Sequence, residues 1–376
     1  MEITWEEWQA SRDVPAVLYD MRDDAARAYG MIPGAVAVSG EELLAAPPAE
    51  KDKRLVIYCA RGVLSRDVAE ALCERGYRAY SLVEGYVAYL RHAVCTTYRT
   101  HLCEQVEQGL RTTDKSRLLS KFLKAVKEYD LIRNGDRIAV CISGGKDSML
   151  MAKLFQEIHR HNRWQFDAHY VVMDPGYNRE NRALIEHNAA ELGVPIEIFE
   201  SDIFEQVYHV EKSPCYLCAR MRRGHLYHYA KEHGCNKIAL GHHFDDVIET
   251  TLMGMLYGSQ IQTMMPKLHS TNFPGMELIR PLYLIREDDI KAWRDRNALH
   301  FIQCACKFTD TCTTCNNGAN HSKRQEVKEL IRTLKKTNPH VEQCIFSSME
   351  NVCLDTVLGY KQKGVRHHFL DEYDAR

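Results

Sequence analysis

No run of about 18 consecutive apolar residues occurs in this chain, so no membrane-spanning helix and no membrane partner are expected. The first ten residues, MEITWEEWQA, lack the basic and apolar segments of a secretory leader, and a cytoplasmic location is the expectation. Net charge is nearly absent: the formal value of −2 selects no nucleic-acid partner by itself. Internal repeats and low-complexity segments are missing as well, so a solenoid or array is not expected. Cysteine, in contrast, is abundant, with 14 residues. A reducing compartment argues against a disulfide framework, leaving thiol chemistry, metal ligation and core filling. Several cluster, at Cys215 and Cys218 and then at Cys304, Cys306, Cys312 and Cys315.

The charge is uneven. Residues 1–90 hold 10 Lys+Arg and 15 Asp+Glu, so the first part is acidic and the remainder mildly basic, which permits an RNA partner without requiring one. With 376 residues, two or three domains are possible. AVLYD (16–20) and RLVIYCA (54–60) read as buried parallel strands. Val68, Ala69 and Leu72 follow at helical spacing, and the helix ends near Gly76. AYSLVEGY reads as a further strand and turn, completing a small α/β unit over residues 1–92. Residues 93–116 show no clear period and read as a linker or connecting helix.

The rhythm restarts at 117. Leu119, Phe122, Leu123, Val126 and Tyr129 fall on one helix face. RIAVCIS, DAHYVVMD, PIEIFES and KIALG are strands separated by helical segments, which indicates a doubly wound parallel sheet. Such sheets bind ligands at the carboxyl ends of their strands. The expected domains are 1–92, a linker 93–116, a second domain 117–353 with a cysteine-rich insertion at 304–315, and a tail 354–376 with no assigned role.

CISGGKDSML, Cys141 to Leu150, lies where a buried strand meets a helix. It lacks the first glycine, four-residue gap and Gly-Lys-Ser/Thr of the usual P-loop. The backbone N–H groups of Gly144 and Gly145 and the helix N-terminus suit an anion. Ser143 and Ser148 add hydroxyls and Lys146 a cation. SGGKDS resembles the PP-loop, or adenine-nucleotide α-hydrolase-like, ATP pyrophosphatases. GHHFDD (241–246) resembles that family's second motif. SPCYLCARMRRGHLY, KIALGHHFDDVIETTLMGMLYG, MMPKL, RPLYLIREDDI and FSSMENV extend the likeness to the tRNA 2-thiocytidine synthetase family over about residues 117–353.

That resemblance implies ATP held by its pyrophosphate end, adenylation of a tRNA cytidine oxygen, and replacement of that oxygen by sulfur. It implies a nucleotide site of Ser143, Gly144, Gly145, Lys146, Asp147, Ser148, Asp174, Gly241, His242, Asp245 and Asp246. Asp147 is singled out as catalytic; Asp147, Asp245 and Asp246 are expected to hold Mg²⁺. His242 is expected at the nucleotide, while His243 reads equally as a polar residue at a strand end. The resemblance also implies a four-iron–four-sulfur cluster on Cys215, Cys218 and a distant cysteine, with one iron free of protein ligands to carry the attacking sulfide. Cys304 is the expected third ligand and Cys306 the competitor. A separate Zn²⁺ site on Cys306, Cys312 and Cys315 stays open. Lys212, Arg220, Arg222, Arg223 and Lys231 form a candidate phosphate track for RNA. Lys323, Arg324, Lys328, Arg332, Lys335 and Lys336 form a second basic group.

VLYDMRDDAARAYGMIPGAVAV and YCARGVLSRDVAEAL resemble a rhodanese domain, with Asp20, Arg22 and an active-site loop from Cys59 to Leu64. The loop would hold Cys59 as thiolate and persulfide at a helix N-terminus, with Arg61 adding positive charge. Met31 before the IPGA turn and Leu64 in the loop depart from the usual pattern of active members. The expected partners are tRNA and a persulfide donor such as a cysteine desulfurase or thiosulfate; a homodimer stays open. Other readings are a PP-loop enzyme thiolating another RNA base or a small heterocyclic metabolite, and a non-catalytic sulfur carrier or iron–sulfur protein.

Overall fold

The computed structural model describes residues 1–28, 30–204, 214–302 and 323–375, without the side chains of 214–216, 372, 374 and 375. The chain divides into two compact units, Met1–His101 and Leu102–Arg376.

The first unit runs β1 (Glu2–Ile3), α1 (Trp5–Ala10), β2 (Ala16–Asp20), α2 (Asp24–Ala28), β3 (Ala35–Ala37), α3 (Gly40–Ala45), β4 (Arg54–Tyr58), α4 (Val63–Glu74) and β5 (Arg78–Leu82). Its sheet has the order β1-β5-β4-β2-β3, and every pairing is parallel. Leu55, Val56, Ile57 and Tyr58 are fully buried, which is why β4 reads as an unbroken apolar run. Thr4 and Ser39 start α1 and α3 as capping boxes with Glu7 and Glu42.

Helix α5 (Gly85–Arg111) follows. The segment expected as a linker or connecting helix is thus helical through Arg111, and Leu102, Val106 and Leu110 are buried in the second unit's core. That unit continues with α6 (Ser120–Glu128), β6 (Arg137–Ile142), α7 (Lys146–Arg160), β7 (Asp167–Asp174), α8 (Arg179–Glu191), β8 (Ile196–Glu200), α9 (Pro214–Glu232), β9 (Lys237–Ala239) and α10 (Phe244–Gly258). Then come β10 (Lys267–His269), β11 (Glu277–Ile279), α11 (Glu287–Arg296), α12 (Lys323–Thr337) and α13 (Val341–Ser348).

The second sheet has the order β10-β11-β9-β6-β7-β8, parallel except for the antiparallel edge pair β10–β11. The chain winds from β6 outward through β7 and β8, then returns to place β9 on the other side of β6. This reversal opens a crevice at the carboxyl ends of β6 and β9, where open α/β sheets bind ligands. Phe122, Val126, Leu150, Leu154, Phe155 and Trp293 pack one face of the sheet.

The tail forms a hairpin of β12 (Gly359–Gln362) and β13 (Val365–His368). Lys363 and Gly364 turn it with positive φ of 50° and 84°. Among the described residues no helix is long and apolar enough to cross a membrane.

Candidate active site

SGGKDS occupies the turn from β6 into α7. Gly144 has φ +82°, and a Cβ there would lie 2.6 Å from Ile185 Cγ1, so both backbone and packing demand glycine. Ser148 Oγ accepts from Ser143 N–H at 3.1 Å and lies 3.0 Å from Gly145 O, which folds the loop back on the first turn of α7. Gly145 is the N-cap of α7 and makes no side-chain cap. The first-turn N–H groups and the positive end of a 15-residue helix therefore face the crevice without a side-chain acceptor from that residue.

GHHFDD, after β9, is seated against this loop. A Cβ on Gly241 would lie 3.2 Å from Ser148 N and 3.3 Å from its Cα. Glycine at 241 thus lets the two motifs touch backbone to backbone. His243, whose side chain is 6% exposed, places Nε2 at 3.9 Å from Asp147 and 3.6 Å from Asp246. Its backbone N–H donates to Asp246 Oδ2 at 3.0 Å. Burial opposes charge on Asp246, but His243 and that N–H outweigh it and hold the carboxyl below its usual range. His243 is therefore a hub among three carboxylates, Asp147, Asp245 and Asp246.

Lys146 Nζ sits 3.1 Å from Asp147 and 3.4 Å from Glu287. Burial raises the Glu287 carboxyl, but Lys328 and Lys146 overcome it and lower it to about 2. His242 is driven down to about 4 by burial, then by Arg280, and is neutral near pH 7.

Two of the expected ligands have further partners. Asp245, expected with Asp147 and Asp246 at Mg²⁺, lies 3.8 Å from His243 Nδ1 and also meets α11: it accepts from Glu287 N–H at 2.7 Å and pairs with Arg286 at 3.0 Å. Asp174, expected at the nucleotide, closes its own turn, accepting from Gly176 and Tyr177 N–H at 2.8 and 2.6 Å and pairing with Arg182. Among the described residues no group of three or more His, Cys, Asp or Glu is arranged to hold a metal ion by itself.

Half of the second basic group is spent on carboxylates. Arg324 pairs with Asp246 and Glu249, Lys328 with Glu249 and Glu287, and Lys335 with Glu342. Glu249, with its side chain 4% exposed, is nonetheless pushed up to about 7, because burial outweighs Lys328 and Arg324. Its folded pKa thus exceeds its unfolded one, so the folded state binds the extra proton and loses stability as pH rises toward 7 and beyond. Glu249→Gln should therefore gain more stability over wild type at pH 8 than at pH 5.5, by on the order of 2 kcal/mol. Thermal unfolding at the two pH values measures it, and an equal effect at both would contradict it.

Of the first basic group, Arg220 and Arg223 are exposed on α9, and Arg222 packs 5.5 Å from the Phe204 ring and donates to Tyr177 Oη at 3.2 Å. Lys212 lies outside the described residues. Cys215 and Cys218 are spaced by about one helical turn at the start of α9. Cys218 is half-buried against Met173, at the carboxyl end of β7. Cys304, Cys306, Cys312 and Cys315 lie outside the described residues.

In the first unit, Cys59 directly follows β4 and is 5% exposed. Gly62 N–H donates to its Sγ at 3.2 Å and Ser65 Oγ lies at 3.5 Å. Burial raises the thiol, but Ser65, Arg61 and Gly62 donors together bring it below its usual value. Gly85, φ +56°, is forced by a close approach: a Cβ there would lie 2.2 Å from Cys59 O. Asp20 and Arg22 form a buried pair at 2.6 Å that also receives the Tyr58 hydroxyl at 2.7 Å, and together they hold Ala26, Gly30 and Ile32. Val63 and Leu64 are 67% and 66% exposed beside Cys59.

Sequence reasoning misses Glu249, Glu287 and Arg280, and it places Arg324 and Lys328 in a basic group rather than against the site's carboxylates. The acidic first turn of α11, Glu287-Asp288-Asp289, is the one local signal available.

The fold and the site define a PP-loop nucleotide-binding protein carrying a rhodanese-like unit. A PP-loop domain matches residues 113–310, and a rhodanese-like domain matches residues 5–92. A tRNA-cytidine(32) 2-sulfurtransferase of Citrifermentans bemidjiense is 34% identical over 241 residues, covering 63% of this chain and 91% of the relative. One from Alkalilimnicola ehrlichii is 36% identical over 250 residues, covering 65% of this chain and 75% of its own. The chain belongs to the PP-loop family of these tRNA-cytidine(32) 2-sulfurtransferases. The U34-tRNA thiolase NcsA of Methanococcus maripaludis, solved with its [4Fe-4S] cluster, shares the fold at a TM-score of 0.50 and 22% identity, covering 63% of this chain and 78% of NcsA.

Proposed function

We propose that this chain is an ATP-dependent tRNA sulfurtransferase: it adenylates a cytidine carbonyl oxygen and exchanges that oxygen for sulfur, giving 2-thiocytidine. The observation that carries this is the seating of Gly241 on Ser148, which joins the phosphate loop and the His243–Asp246 hub in one crevice. The names and identities of the relatives supply the substrate class.

ATP lies with its phosphates on the α7 N-terminus, and Lys146 swings from Asp147 and Glu287 onto them. Asp147 and Asp246 fit Mg²⁺, which takes one or two protein carboxylates and completes its shell with phosphate oxygens and water. Bound there, the ion would neutralise phosphate charge. The base oxygen attacks the α-phosphorus and pyrophosphate leaves. Sulfur then adds to the activated carbon, and the carbon–oxygen bond breaks as AMP departs with its electron pair.

Cys215 and Cys218, with Cys304, would hold an iron–sulfur cluster; two cysteines at helical-turn spacing suit it, and it would supply sulfur-transfer chemistry when bound. Cys59 carries sulfur into the chain. Its thiolate attacks the outer sulfur of a donor persulfide, and the donor's own thiolate leaves.

Unmodified tRNA should stimulate AMP release from ATP. Chromatography of the nucleotides checks this; AMP release indifferent to every RNA tested would direct the reading toward a small heterocycle.

A further inference from the structure

Among the described residues four lysine or arginine side chains are buried: Arg22, Lys153, Lys237 and Arg280. Three of them have a carboxylate in contact, with Arg22–Asp20 at 2.6 Å, Lys153–Glu107 at 2.9 Å and Lys237–Asp136 at 2.7 Å. This is the expected pattern, because a buried charge without a partner is strongly disfavoured. Arg280 breaks it. It is 5% exposed, and no carboxylate lies within ion-pair distance among the described residues. One guanidinium nitrogen donates to Met265 O, while its Nε is buried with no hydrogen-bond partner among the described residues.

Its position explains what such a charge could serve. Arg280 directly follows β11, whose Ile279 is in register with Ala239 of β9. Leu240 N–H donates to Ile279 O at 3.0 Å, so Arg280 leaves the sheet beside the strand end that leads into Gly241 and His242. It is therefore on the carboxyl edge that carries the phosphate loop.

A second cation, Arg223, stands near it and is opposed by Tyr283, Tyr227 and Asp246. Burial, and next the nearby Arg223, push Arg280 down to about 10. Arg223 is exposed on α9 and makes no ion pair among the described residues. His242 Nδ1 is also buried without a partner among them. Asp246, whose charge reaches Arg280, is already engaged by His243 N–H and Arg324. A guanidinium fork with unused donors matches phosphate geometry.

We propose that Arg280, assisted by Arg223, is a second phosphate-binding site beside the PP-loop, filled by a phosphate of ATP or of the RNA strand. The RNA alternative rests on the tRNA reading above; the ATP alternative does not.

The test uses the full chain and three variants: Arg280→Met, Arg280→Lys and the exposed-site change Arg223→Gln. Calorimetry measures ATP affinity without RNA, and filter binding measures affinity for unmodified tRNA. Arg280→Met should weaken at least one of the two by about tenfold to a hundredfold, as expected for lost charged hydrogen bonds. Arg280→Lys should recover part of the loss, and Arg223→Gln should show a smaller loss for the same ligand. The ligand-free melting temperature of Arg280→Met should equal or exceed that of wild type, because an uncompensated buried charge has gone. Loss confined to ATP assigns the site to the nucleotide, loss confined to tRNA assigns it to the strand, and loss of both supports a shared site. Unchanged affinity for both ligands, or an Arg280→Met chain that melts several degrees lower or fails to fold, would overturn the proposal and make the arginine structural. A wild-type chain that binds ATP but no tRNA would defeat the tRNA reading and leave the ATP arm decisive.

Discussion

Lys146→Ala should lower ATP-dependent AMP release by about a hundredfold to a thousandfold, the scale seen when one preorganised charge-stabilising group is removed from a reaction centre. Lys146 is the cation of the phosphate loop, and in the ligand-free chain it is held between Asp147 and Glu287 at 3.1 and 3.4 Å. Its removal leaves Glu287 with Lys291 at 3.2 Å and Lys328 at 3.6 Å, so the carboxylate keeps counter-charges and the fold should survive. The loss should be the same whether sulfur is offered as a persulfide or as sulfide, because activation precedes sulfur addition. Steady-state AMP release, with circular dichroism as the fold control, measures it. A folded Lys146→Ala variant with near-wild-type AMP release would show that the loop does not bind the reacting phosphates.

Cys59→Ser should separate the two sulfur sources. Turnover with a persulfide donor should fall to the background rate, while turnover with free sulfide and the rate of AMP release should stay close to wild type. The loop geometry tolerates the change: Gly62 N–H and Ser65 Oγ can bond an oxygen where they now meet Sγ at 3.2 and 3.5 Å. What is lost is the thiolate. At Cys59 that thiolate is favoured by three residues' donors against the opposing effect of burial. Equal loss with both donors would show that Cys59 acts on the fold or on another step, and the relay would fail.

The parts of the molecule that are legible in the sequence are those fixed by local chemistry. β4, β6 and β7 are buried on both faces, so each reads as an apolar run, and β7 spans Asp167–Asp174 as its pattern implies. SGGKDS and Cys59 to Leu64 mark strand-to-helix turns, which local sequence determines almost entirely. β10 and β11 escape such a reading because three residues each carry too little periodicity, and one is an edge strand. The middle of α5 hides for a different reason: Val94 to His101 are all exposed, so no apolar stripe links Tyr86 and Tyr89, which pack in the first unit's core, to Leu102, Val106 and Leu110 in the second.

Within the site, the distinction between Asp246 and Asp245 is not legible. The two are adjacent in sequence and both approach His243, yet helix geometry also turns Asp246 toward Arg324 and Asp245 toward Arg286 and the start of α11. The pairing of Lys328 with Glu249 and Glu287 also depends on distant segments meeting, as does the isolation of Arg280. A sequence shows that such charges exist; only the fold shows which are neutralised.

The most direct measurement starts from protein purified without oxygen and supplied with iron and sulfide to build the proposed iron–sulfur cluster. It is incubated with ATP, Mg²⁺, sulfide and unmodified tRNA, and the tRNA is digested and its nucleosides weighed by mass spectrometry. The expected result is a new 2-thiocytidine that is absent when ATP is withheld. No thionucleoside, from a chain that releases AMP and has taken up iron and sulfide, would contradict it.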